Sequence, residues 1–155
     1  MINLNKYSLG STAAIITSMG LIAGLSHGEG SKASTIASLM IIAVADNISD
    51  SLSLHIYKES EGADRKEIAS GTYGNFLARL LVVLTFVAIV MLFSANVAVL
   101  SASAWGLTLL TLLSYSIAKT KQTNPPREIV WHLVVAVLVI IASRLLGMLI
   151  AGHLG

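Results

Sequence analysis

The stretch from Phe76 to Ile117 carries a single charged residue, Arg79, and constrains the fold more than any other feature of the chain. A helix needs roughly 20 residues to cross about 30 Å of hydrocarbon, so a run of about 40 has room for two crossings. Ser94, Ala95 and Asn96 form its least apolar point and place a tight turn between the two. Three further segments reach spanning length. The expected spans are Ser8 to Leu25, Ser34 to Tyr57, Asn75 to Ser94, Val97 to Ala118, and Ile129 to Ala151. Pro125 and Pro126 are expected to close the fourth, because neither donates a backbone hydrogen bond and each restricts the residue before it.

Composition agrees. The chain is 55% hydrophobic and 12% charged, against about 25% charged in an ordinary soluble domain. The polar groups are too few to cover the surface of a soluble fold, so lipid is the expected solvent for much of it. The reading is an all-α, polytopic membrane protein of one transmembrane domain with five membrane-crossing helices. The first apolar segment is read as a helix rather than a removed signal peptide, because it lacks a small-residue cleavage site and further spans follow.

Basic residues set the orientation. One side receives Lys6, Lys58, Arg65, Lys66, Lys119, Lys121 and Arg127, with Arg79 just inside the third span, and the other receives Lys32. The N-terminus is therefore expected in the cytoplasm and the C-terminus outside, in the inner or plasma membrane if the source is prokaryotic. Net charge is +2 with the basic residues scattered, which argues against a nucleic-acid partner. The absence of cysteine removes disulfides, thiolate metal sites and cysteine nucleophiles. The mixed charges of Lys58 to Gly74 are expected to form a short solvated helix at the membrane surface.

Polarity inside a span is where function concentrates, because an aspartate at a helix centre costs about 2.5 to 3.5 kcal/mol on insertion scales. Asp46 lies near the middle of the second span, with Asp50 one turn nearer the cytoplasm. Helical spacing puts Asp46, Asp50, Ser53 and Tyr57 on one stripe, with Asn47 beside it. Such oxygens suit divalent cations, and paired aspartates also carry protons. His55 and Glu59, at the cytoplasmic mouth of the stripe, join Asp46 and Asp50 as candidate metal ligands. The structural alternative is a buried ion pair between Asp46 and Arg144 of the fifth span. His27 and Glu29 sit in a glycine-rich outer turn; Trp131 and His132 look like interfacial anchors. Gly20 and Gly24 have GxxxG spacing, an association motif of membrane helices, and make the first helix the expected face of a homodimer.

Two segments resemble a known family. Gly20-Leu21-Ile22-Ala23-Gly24-Leu25 resembles the GLVAGL-type segment of the vacuolar iron transporter (VIT) family. Ala45-Asp46-Asn47-Ile48-Ser49-Asp50-Ser51-Leu52-Ser53-Leu54 resembles its second-helix A(N/E)xxADxxSM pattern, and Ser60-Glu61 its following KSE. The resemblance covers about the first 60 residues and implies a homodimeric exporter. Such a protein moves ferrous iron or another divalent metal out of the cytosol in exchange for protons, along a path between first and second helices at the dimer interface. Asp50 falls on the family's aspartate, Asp46 on its Asn/Glu position and Ser53 on the serine before its methionine. The family's first-helix DG pair falls on Ala13-Ala14 and its methionine on Leu54, and the long cytoplasmic metal-binding insert is absent.

The expected function is thus a VIT-like transporter of a divalent cation of the iron or manganese class, with no resident cofactor and no enzymatic activity. A non-transporting assembly or sensory subunit is the alternative. A third reading, a Mg²⁺-dependent lipid transferase, rests on the DxxxD spacing of Asp46 and Asp50 but lacks a second acidic motif.

Overall fold

The computed structural model describes residues 5–26 and 31–154. These form helices and no strand: α1 (Asn5–Leu25), α2 (Lys32–Ser60), α3 (Arg65–Leu92), α4 (Ala95–Lys121) and α5 (Pro125–Leu154). Helices α2 to α5 are each long and apolar enough to cross a membrane, and Gly10–Leu25 of α1 is a shorter apolar stretch. Large apolar side chains stand exposed on the outward faces, among them Leu81, Met91, Leu100, Leu138 and Leu145. Water would penalise that surface heavily, at roughly 25 cal/mol per Å². The chain is built to be embedded in a membrane.

Helix α1 is the axis of the bundle, packed against α3, α4 and α5. From Gly10 to Ser26 Thr17 is its one exposed residue, while Ala14, Ile15, Ser18, Met19, Ile22 and Ala23 are buried. Small residues let neighbours approach this closely. A Cβ on Gly20 would lie 2.9 Å from Ser143 Oγ of α5, and one on Gly24 3.1 Å from the Ser143 carbonyl oxygen. Gly147 faces the backbone of Gly24 so closely that a Cβ there has no space. The GxxxG pair thus joins α1 to α5 within one chain, and a second copy could use this face only by displacing α5.

The helix ends carry identifiable signals. Ser31 Oγ accepts from the Ser34 amide at 3.1 Å and Asp64 Oδ1 from the Glu67 amide at 2.7 Å, satisfying first-turn donors of α2 and α3. Helix α2 ends with Gly62 in the left-handed region (φ 73°), while the Gly62 and Ala63 amides bond back to the Glu59 and Lys58 carbonyls. The charged segment 58–74 is therefore not a separate surface helix. Its residues end α2, make a four-residue turn and begin α3, which runs straight into the apolar stretch. The turn near Ser94 lies where the sequence places it, with Phe93 and Ser94 extended between α3 and α4. The two prolines act differently from expectation. Gln122, at φ 54°, ends α4, and Pro125 opens α5, where a missing N–H costs nothing. We expect Asp64→Ala to lower the stability of the protein in detergent by about 1 kcal/mol, read as a modest drop in thermal midpoint; no drop would mean the cap contributes little.

One irregularity bears on function. Ile42–Asp46 is a π-helical turn inside α2, with the Asn47 amide reaching the Ile42 carbonyl. Single π turns inside α-helices are frequently found at functional sites. This one ends on Asp46.

Candidate functional site

Asp46 is the midpoint of α2, about 21 Å from each end at 1.5 Å per residue. Asp50 lies one regular turn further on. Both carboxylates meet Arg79 of α3. Its Nη2 donates to Asp46 Oδ2, and its Nη1 lies 3.1 Å from Asp50 Oδ2. Nη1 also approaches the Gly10 carbonyl oxygen at 3.4 Å, so the guanidinium touches α1, α2 and α3. Arg79 is buried, at 3% exposure. The side chain of Asp46 is 50% exposed and that of Asp50 32%. The cluster is an arginine under two carboxylates that open on the outer face of α2.

Asn75, one turn before Arg79 on α3, completes it. Its Nδ2 donates to Asp50 Oδ2 at 2.9 Å and reaches Ser51 Oγ at 3.4 Å. Asn75 is fully buried, and Gly10 makes the room: a Cβ there would collide with Asn75 Oδ1 and come within 3.0 Å of Arg79 Cδ. Asn47 points inward, its Nδ2 donating to the Phe76 carbonyl at 2.9 Å. Two buried polar atoms beside the carboxylates, Arg79 Nε and Asn47 Oδ1, have no hydrogen-bond partner.

The lower rungs of the expected ladder bond locally. Ser53 Oγ donates to the Ser49 carbonyl at 2.9 Å, and Tyr57 OH to Glu61 Oε1 at 2.6 Å. His55 Nδ1 lies 3.4 Å from Thr72 Oγ1, and Glu59 is exposed. Asp46, Asp50, His55 and Glu59 are therefore not gathered into one ligand set. Among the described residues, no three His, Asp or Glu side chains come together as they would to hold a metal ion. His27 and Glu29 lie outside the described residues. His132 Nδ1 pairs with Ser114 Oγ at 2.7 Å and Trp131 is exposed, so the first faces α4 and the second is free to anchor at an interface.

Two corrections concern arginine. Asp46 pairs with Arg79 rather than Arg144, which stands on an exposed face of α5. Arg79, expected just inside the cytoplasmic end of the third span, sits deeper. It lies at the centre of α3, which leaves seven basic residues against one in the orientation count. Arg79, Asn75 and Gly10 are not among the site residues expected from the sequence. The signal was present: Arg79 is the lone charge of the apolar run, and Asn75 precedes it by one helical turn.

Chemically, two carboxylates and one guanidinium leave one uncompensated negative charge. At the depth of mid-helix such a charge needs water, protein or a cation beside it, because hydrocarbon solvates it poorly. Comparison of the chain with protein-family models, curated proteins and solved structures returned no match.

Proposed function

We propose that this chain is a multi-pass membrane transporter that moves a divalent metal cation of the iron or manganese class, in exchange for protons, past the Asp46–Asp50 pair of α2. In this reading all five helices cross the membrane, with the N-terminus cytoplasmic and the C-terminus outside. The seven-to-one basic asymmetry supports that orientation. The observation that carries the reading is the Asp46–Arg79–Asp50 cluster, which combines net negative charge with half-open carboxylates at the centre of a long apolar helix. Carboxylate oxygens suit hard and borderline divalent ions. Ser49 and Ser53 continue the exposed polar stripe toward the cytoplasmic end. The likeness of segments 20–25 and 45–54 to VIT motifs supports the same substrate class.

Purified protein in liposomes with an imposed proton gradient tests this. Uptake of Fe²⁺, Mn²⁺, Co²⁺ and Zn²⁺ is measured, and at least one should accumulate in wild type and fall to the protein-free rate in Asp50→Asn. Flux that persists undiminished in Asp50→Asn would remove the pair from the path.

A second reading has an observation of its own. Arg79 joins three helices, and a guanidinium that only fastens them would suit a non-transporting assembly subunit. Its signature is no flux of any of the four ions.

A further inference from the structure

We infer that Arg79 is a tethered competitor for the cation at the Asp46–Asp50 pair, and that its guanidinium sets how tightly ions bind there. The inference rests on the transport reading above. The guanidinium reaches one oxygen of each carboxylate and fills the position between them, where a cation bridging the pair would sit. In the structure the site holds its own cation.

That hold is incomplete, which separates a competitor from a fastener. A guanidinium has five N–H donors, and buried donors are normally all satisfied. Here Nε is buried without an acceptor. The neutral oxygen Asn47 Oδ1, on the residue beside Asp46, is buried and equally unpartnered.

The two carboxylates are also unequal. Asp50 accepts from Asn75 as well as Arg79 and is the more enclosed. Asp46 is held by the guanidinium and is half open. An ion arriving from the exposed face of α2 therefore meets Asp46 first. The guanidinium can give up Asp46 while keeping Asp50 and the Gly10 carbonyl. The charge balance follows directly. With Arg79 present the incoming ion meets one net negative charge; without it, two. Conduction needs binding weak enough for release, and a tethered guanidinium supplies that weakness.

The test uses the full chain in detergent with Mn²⁺ as probe, following the loss of the free-ion paramagnetic resonance signal. Doubling the net charge in Arg79→Gln should tighten Mn²⁺ binding about ten-fold over wild type. Adding Asp46→Asn to that variant should return binding to the wild-type level or below. A merely structural arginine gives unchanged or weaker binding in Arg79→Gln, and either result overturns the inference. If Arg79→Gln does not yield folded protein, Arg79→Lys decides. Its compact ammonium serves one carboxylate at a time, so Mn²⁺ should bind about three-fold tighter, and equal or weaker binding overturns the inference. Wild-type Mn²⁺ flux in liposomes is read separately. Flux without a binding gain sinks the tether and leaves transport standing; a gain without flux sinks transport and leaves the tether standing.

Discussion

Gly147→Leu will release α5 from the bundle. The α-carbon of Gly147 lies against the backbone of Gly24, and a Cβ there meets the Gly24 carbonyl oxygen far inside contact distance. Neither atom belongs to a flexible side chain, so the helices themselves must part. Overpacking by one methyl costs about 1–3 kcal/mol where the surroundings can shift, which sets the scale for Gly147→Ala. Leucine should exceed it. Helix α5 has little to fall back on: Ala136 is its one buried residue among those described, and most of its surface is exposed. Thermal unfolding in detergent, or resistance to added dodecyl sulfate, measures the loss. Gly152→Ala is the internal control, since nothing lies within 4 Å of a Cβ at that position. Equal stability of Gly147→Leu and Gly152→Ala would disprove the α1–α5 packing.

The second large effect concerns the charges. In the double variant Asp46→Asn, Asp50→Asn, the guanidinium of Arg79 keeps its charge. It is then left buried with no counter-ion. Removing the partner of a buried charge costs about 3–5 kcal/mol, enough to lower the thermal midpoint strongly. The single variants should rank. Asp46→Asn should be the milder, since Asp50 still holds Arg79 and the lost carboxylate was half exposed. Asp50→Asn should cost more, because Asn75 loses its carboxylate acceptor as well. A double variant as stable as wild type would show that Arg79 has other support. The reverse ranking of the singles would show that Asp46 is the anchor.

What was legible in the sequence was axial, and what was hidden was rotational. Lengths and depths could be counted. The turn at Ser94, the midpoint position of Asp46 and the number of apolar segments all follow from hydropathy and a rise of 1.5 Å per residue. Which way a side chain points around its helix depends on neighbours that are distant in sequence. Arg144 has a suitable depth for Asp46, yet it faces outward from α5 because the small-residue face of that helix, with Ser143 and Gly147, is turned to α1. Arg79 is expected just inside the membrane edge because the third span is expected to begin at Asn75; α3 begins ten residues earlier, at Arg65, capped by Asp64. The GxxxG pair shows the same limit. Its spacing announces close helix contact, but whether the partner helix belongs to the same chain is not written in the spacing. The prolines were legible as a boundary but not as to which side of it they serve.

If α2 lines a transport path, the stripe of Asp46, Ser49, Asp50 and Ser53 borders water rather than lipid. Thiol chemistry reads this directly, because a thiol reacts as thiolate, which requires water, and the native chain contains no cysteine. Single variants Ser49→Cys and Ser53→Cys in sealed proteoliposomes would be exposed to a charged, water-soluble thiol reagent. Leu81→Cys, on an outward apolar face of α3, serves as the lipid reference. Rapid labelling is expected at both serine positions, slowed by Mn²⁺, and none at Leu81. Protection of Ser49→Cys to the same degree as Leu81→Cys would mean that the stripe faces lipid and lines no path.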